Sequence, residues 1–146
     1  MSKTYRCYKC NTSLEQHGKM LVCPKCKFML SKRAINSAEQ RREHLEHPEI
    51  YRSSHDKYNE VFKSVVQDQK KSRYICPICK TRSVYRTKDG RLICGECLLV
   101  IKRVYLDGAL KEKVVRMHNK GWSPSEIIKE TCLPPATVFT IIRRYC

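Results

Sequence analysis

The chain has 146 residues, 41% apolar and 30% charged, with one Trp and three Phe available for a core. Thirty Lys and Arg stand against 14 Asp and Glu, a formal net charge of +16. That leaves room for one ordinary domain or several very small ones, and no apolar run approaches the ~18 residues that would argue for a membrane-spanning helix.

The N-terminal MSKTYRCYKC lacks the apolar stretch of a signal peptide. An intracellular protein is expected, in a prokaryotic cytoplasm, a virus-infected host cell or a nucleus. Ten cysteines in such a compartment point to metal before disulfides, because cytosolic thiols are kept reduced. Eight of them form four Cys-x-x-Cys pairs, and Cys132 and Cys146 are left over.

Residues 1–30 hold the first quartet, Cys7, Cys10, Cys23 and Cys26. Zinc prefers soft thiolates in a tetrahedron, and four of them close a structural site. Each Cys-x-x-Cys turn points two sulfurs at one centre, and its amides can donate to them. The 12-residue gap between Cys10 and Cys23 fits a β-hairpin turning at His17-Gly18.

Residues 31–72 lack cysteine and read as a helical spacer of two helices. Asn36 or Ser37 caps the first, with Gln40 completing a capping box, and Pro48 ends it. Ser53 or Ser54 starts the second, where Tyr58, Val61, Phe62, Val65 and Val66 share one face. That face packs on a ribbon or a partner copy; the sharper alternative is a dimerisation helix. His44, Glu46 and His47 are read as solvated helix-end residues rather than a third metal site.

Residues 73–106 hold the second quartet, Cys76, Cys79, Cys94 and Cys97, with a 14-residue gap around Asp89-Gly90. Asp-Gly is a strong hairpin signal, since both residues accept positive φ. Two zinc ribbons, each with one zinc ion, are expected. Iron–sulfur clusters commonly use other spacings, and redox dithiols need a βαβ context that is absent. Catalytic zinc keeps an open position, whereas both quartets are complete, so no enzyme activity and no small-molecule substrate are expected. Arg82, Arg86 and Lys88 share strand parity and should lie on one face, with Lys80 at its edge and Tyr85 opposite. That face either contacts phosphates or is simply solvated.

This ribbon resembles the N-terminal ribbon of transcription initiation factor B. The match runs through Cys76-Pro77-Ile78-Cys79, Asp89-Gly90, Leu92-Ile93-Cys94, and Cys97 followed by Leu98 to Ile101. The resemblance implies docking on RNA polymerase rather than DNA. It covers about 30 residues. The family usually has Gly where Leu98 stands, and its cyclin-like repeats do not fit in this chain.

Residues 107–146 read as three helices. Leu110, Val114, Val115 and Met117 or His118 turn inward on the first, which Gly121 stops. Ser123 caps the second, with Pro124 at N1 and Glu126 completing a capping box, and Ile127 and Ile128 are its buried side. After a turn at 131–134, a third helix from about Pro135 to Arg144 buries Val138, Ile141 and Ile142. Three short helices with a tight turn between the last two make a helix-turn-helix.

The segment resembles the helix-turn-helix of resolvase and invertase recombinases through Gly121, Ser123, Glu126-Ile127, Leu133, Thr137-Val138 and Ile142. The resemblance implies DNA binding; without a recombinase catalytic domain it does not imply strand exchange. The family usually has Ala at Ile128, Gly at Cys132, Ser at Pro134 and a polar base reader at Pro135. Thr137 and Thr140 are weak readers beside Arg, Asn or Gln. Arg143 and Arg144 at the far end suit phosphates, and Ser123 is a further candidate nucleic-acid contact.

Basic residues outnumber acidic ones by six to one in 1–30 and eight to two in 73–106, but only nine to seven in 31–72 and seven to four in 107–146. Two four-thiolate zinc sites would bring the net charge to about +12, which still favours a polyanion. The expected fold is a small multi-module α+β chain: two zinc-ribbon hairpins, a helical spacer and a three-helix helix-turn-helix domain. The expected function is a DNA-binding transcriptional regulator of duplex DNA. The alternative is an adaptor docking on RNA polymerase or another transcription complex through its ribbons. No membrane association is expected, and a homodimer is compatible with either function.

Overall fold

The computed structural model describes residues 3–50, 56–103 and 107–146. It is a small α+β chain whose described residues form two antiparallel sheets and five helices. The first sheet joins β1 (Glu15–His17), β2 (Met20–Val22) and β3 (Met29–Ser31) in that order. His17 pairs with Met20, so Gly18 and Lys19 make a two-residue turn. Gly18 sits at φ +60, as a glycine first in such a turn can.

The chain leaves β3 directly into α1 (Lys32–Glu46). The cap is Ser31, whose hydroxyl accepts from the Ala34 N–H at 3.1 Å. Asn36, Ser37 and Gln40 therefore lie inside the helix, at least one full turn past its start. The expected capping box there fails because a serine already at the strand end satisfies the first turn. Pro48 follows the C-cap His47, as expected.

The second helix is described as α2 (Asp56–Gln67); Ser53 and Ser54 lie outside the described residues. Its face buries Phe62, Val65 and Val66, with Tyr58 and Val61 half-buried. That face meets the C-terminal helices of the same chain, not chiefly a ribbon, and no partner copy is needed to cover it. Helical spacing reports that a face is buried, not what covers it.

The second sheet has the order β4 (Lys70–Lys71), β5 (Val84–Arg86), β6 (Leu92–Cys94) and β7 (Val100–Lys102). Its hairpin tip departs from the expected turn. Asp89 keeps ordinary φ and only Gly90 is left-handed, at φ +86. The Gly90 N–H donates to Thr87 O and the Thr87 N–H to Arg91 O, both at 3.0 Å. This is a three-residue loop ending in a left-handed glycine.

The C-terminal helices are α3 (Gly108–Asn119), α4 (Pro124–Thr131) and α5 (Pro135–Tyr145). Gly121, at φ +87, closes α3 with two bonds of a Schellman end: Gly121 N–H to His118 O at 2.9 Å and Trp122 N–H to Met117 O at 3.1 Å. α4 carries the expected capping box between Ser123 and Glu126. Cys132 takes the left-handed position at its end, φ 51.

Two hydrophobic clusters hold the chain together, and the second sheet feeds both. One gathers Leu21, Leu30, Ile35 and Ala38 with Ile78, Val84, Leu92, Leu99 and Ile101. The other gathers the α2 face and the buried sides of α3, α4 and α5 with Ile93 and Leu98. Tyr8 joins the first ribbon to the second through an edge-on contact with Tyr74, ring centroids 5.1 Å apart. Tyr58 and Phe139 pair edge-on between α2 and α5 at 5.0 Å.

A buried arginine pins the hairpin tip to α4. Arg91 is only 5% exposed. Its Nε donates to Asp89 Oδ2 at 2.8 Å, and its Nη2 donates to Thr131 O at 3.2 Å. Thr131 is the last residue of α4, where carbonyls lack helical partners and favour a cation. Burial alone would raise the Asp89 pKa, but the Thr87 hydroxyl and the Arg91 guanidinium together hold it below the usual carboxylate range. Arg91→Leu removes both bonds and leaves Thr131 O unpaired. Because Asp89 is partly solvated, we expect a loss of about 1–3 kcal/mol in urea denaturation with zinc retained.

Candidate metal centres and basic surfaces

The four Cys-x-x-Cys turns share one backbone form. In each, the N–H four residues after the first cysteine donates to that cysteine's carbonyl: Asn11 to Cys7, Lys27 to Cys23 and Lys80 to Cys76 at 3.0 Å, and Leu98 to Cys94 at 3.1 Å. The first cysteine's own N–H donates onward to the next residue's carbonyl, as Cys94 does to Leu99 O at 3.0 Å. Asn11, Lys27, Lys80 and Leu98 consequently sit in the left-handed region, at φ 58, 61, 56 and 59. This is the position where the initiation-factor ribbon usually has Gly. Leu98 bears the backbone strain and uses its side chain, 2% exposed, in the core shared with α2 to α5.

These turns bring each quartet together. Cys7, Cys10, Cys23 and Cys26 form one group and Cys76, Cys79, Cys94 and Cys97 the other, with all sulfurs of a group within 4.8 Å. Individual separations are 3.4 Å for Cys7–Cys26, 3.3 Å for Cys10–Cys23 and 3.6 Å for Cys76–Cys97. Four sulfurs at ~2.3 Å from a tetrahedral zinc would lie ~3.8 Å apart, close to this spacing. Amides support the sulfurs too: Cys26 N–H donates to Cys23 Sγ at 3.5 Å and Glu96 N–H to Cys94 Sγ at 3.4 Å. Each cluster can hold one zinc ion, two per chain, and the four-thiol donor set suits a closed structural site.

Burial pushes Cys7 up to about 12, whereas the Thr12 hydroxyl and amide draw Cys10 down to about 6. Four thiolates that close repel one another unless a divalent ion lies between them. Helix α1 adds cations from outside the second cluster. Arg41 is half-buried, and the desolvation lowers its pKa while the nearby Cys97 opposes that shift; its Nη2 donates to Leu98 O at 3.4 Å. Arg42 pairs chiefly with Glu46 and also faces Cys79.

The expected nucleic-acid residues occupy separate elements. Arg82, Arg86 and Lys88 are all exposed. Only Arg86 lies on β5, however, and Val84, which shares its parity, is fully buried. Strand alternation therefore does not fix the direction of Arg82 and Lys88, which lie in a bend and a turn. Ser123 spends its hydroxyl on the α4 cap, donating to Glu126 Oε2 at 2.9 Å and accepting from Glu126 N–H at 3.3 Å. Thr137 is half-buried; Thr140, Arg143 and Arg144 are exposed on α5. Thr140 donates back to Ala136 O at 2.7 Å. Pro135 is buried, so it presents nothing to a base edge.

Among the groups the sequence did not mark are Arg33, Arg41, Arg91 and Arg103, which line one cleft. Their spacing along the chain carries no periodic signal. His44 lies 3.3 Å from Asp56 Oδ1 and belongs to neither cysteine group. Compared with protein-family models, curated proteins and solved structures, the chain matches none. No helix among the described residues is long and apolar enough to cross a membrane.

Elemental analysis should find two zinc ions per chain, and strong chelation should unfold both sheets, because metal binding supplies their folding energy. The turn geometry gives a sharper contrast. Lys27→Gly relieves a left-handed residue on an exposed side chain and should stabilise by about 0.5–1 kcal/mol. Leu98→Gly gives the same relief but empties a core position, and should destabilise by about 1–3 kcal/mol. Denaturant midpoints of the zinc-loaded variants that shift in the same direction would overturn this account of the turns.

Proposed function

We propose that the chain is a DNA-binding transcriptional regulator, not an enzyme, with structural zinc holding a helix-turn-helix made by α3, α4 and α5. The supporting observation is α5 itself. It follows α4 after the three-residue connection 132–134, buries Val138 and Ile141, and leaves Ala136, Thr140, Arg143 and Arg144 on its outside. No acidic residue lies on this helix. Its outward side chains offer a hydroxyl and two guanidinium groups, so contacts to phosphate dominate and base readout is modest.

The alternative is an adaptor on RNA polymerase or another transcription complex. Its best surface is the second ribbon's exposed basic set, Arg82 before β5, Arg86 on it and Lys88 in the turn after it. The remaining second ribbon has little apolar surface to offer, since Val84, Leu92, Leu99, Ile93 and Leu98 are all turned into the two cores.

With about six phosphate contacts, binding to mixed-sequence duplex should weaken with salt at a log–log slope near −5. Replacing Arg143 and Arg144 with alanine should reduce that slope by about 2 in fluorescence anisotropy. Absence of binding at low salt, or binding insensitive to salt, would sink the proposal.

A further inference from the structure

The cleft of about 550 Å³ between α1, the second ribbon and the start of α5 has an unusual charge. Arg33, Arg41, Arg91 and Arg103 line it, and among the described residues no Asp or Glu does. Arg41 Nη2 donates to Leu98 O at 3.4 Å, and Arg91 Nε donates to Asp89 Oδ2 at 2.8 Å. Arg33 and Arg103 are exposed and make no ion pair among the described residues. Arg91, although 5% exposed, has a nitrogen, Nη1, with no hydrogen-bond partner, and Arg41 Nε is likewise buried without one. Buried donors ordinarily find partners, and two unpartnered guanidinium nitrogens in one acid-free cleft point to an absent acceptor.

The backbone adds to this. Ala136 and Thr137 line the same cleft at the N-terminus of α5. That eleven-residue helix has no side-chain cap, because its cap residue is Pro134. Pro135 has no N–H, so the Ala136 N–H is the first the helix presents. A helix N-terminus favours an anion, and here it shares the space with four cations. Ser37 and Asn59 add polar groups to the wall.

We propose that this cleft binds a phosphate group, held by Arg33, Arg103 and the uncapped start of α5, with Arg41 and Arg91 supplying charge from beneath. The group is either a phosphodiester of nucleic acid or the phosphate of a small molecule. The recognition chemistry is common to both, and the cleft shares only Ala136 with the outward face of α5 and none of Thr140, Arg143 and Arg144, so it holds whether or not those residues bind duplex DNA.

The test is amide NMR of the zinc-loaded full chain titrated with sodium phosphate against sodium chloride of equal ionic strength. Saturable shifts are expected at Ala136, Thr137 and Arg33. Arg33→Ala combined with Arg103→Ala should weaken binding about tenfold or more, as loss of two charge-assisted contacts implies. Lys19→Ala with Lys25→Ala, two exposed lysines of the first ribbon outside the cleft, should leave phosphate binding unchanged, and all variants should keep two zinc ions. Adenosine monophosphate and a mixed-sequence duplex separate the sources. Displacement of phosphate by duplex, weakened in the Arg33/Arg103 variant, assigns a phosphodiester. Tighter binding of the nucleotide with no displacement by duplex assigns a small molecule, and retains the cleft even if DNA binding fails. No saturable shift with any of the three probes, or shifts indifferent to Arg33 and Arg103, overturns the proposal.

Discussion

Strands of two or three residues cannot hold a sheet by their own ladder bonds, and every strand among the described residues is that short. The cysteine turns set the architecture instead. Each fixes a left-handed residue and two backbone bonds, and each quartet ties together turns separated by 12 or 14 residues. The quartet in turn depends on charge. A divalent ion between four thiolates leaves two negative charges per site, and in the second cluster Arg41 and Arg42 of α1 face that surplus. A helix that reads as a spacer is thus part of the metal site's electrostatic environment.

The second ribbon has a larger structural part than a zinc module standing alone. Its two faces feed different cores, with Val84, Leu92 and Leu99 turned toward the first ribbon and α1, and Ile93 and Leu98 toward the helices. Its tip reaches α4 through Arg91. An aliphatic residue there would bury more apolar surface but would leave the end of α4 without a donor. The arginine satisfies that carbonyl, at the cost of a buried guanidinium that Asp89 only partly offsets. Ribbon, α2 and C-terminal helices therefore share one core, so their stabilities are coupled and loss of the second quartet would loosen α5 as well.

The quartets were legible because their chemistry is local: four cysteine pairs at one spacing permit few arrangements other than two four-thiolate sites. The ends of α3 and α4 were legible for the same reason, with Gly121 and the Ser123–Glu126 box acting within a few residues. What escaped depends on distant partners. β3 and β7 are three residues each and pair with strands on the far side of a cysteine turn, too short for alternation to register. The start of α1 escaped because Ser31 is both strand end and cap. The covering of α2 escaped because its partners lie some 60 to 80 residues away. The arginine cleft escaped most completely. Arg33, Arg41, Arg91 and Arg103 look like members of a solvated basic population until the fold buries Arg91, half-buries Arg41 and gathers all four around one space.

That space places the two ends of α5 under opposite electrostatic conditions. Arg143 and Arg144 stand at the C-terminal end, where the helix dipole favours cations. At the N-terminal end the dipole favours an anion, yet four arginines surround it and no side chain caps it. Like charge at that end destabilises the helix. The chain therefore carries an unfavourable electrostatic term at the start of α5 that an anion in the cleft relieves. A ligand bound to the folded chain and not to the unfolded one stabilises by an amount set by its concentration over Kd. Because α5 shares a core with α2 and the second ribbon, that stabilisation is felt across the helical half of the molecule. Cleft occupancy and the order of the outward face of α5 are consequently linked through one helix, whose first turn lines the cleft and whose last turn carries Arg143 and Arg144.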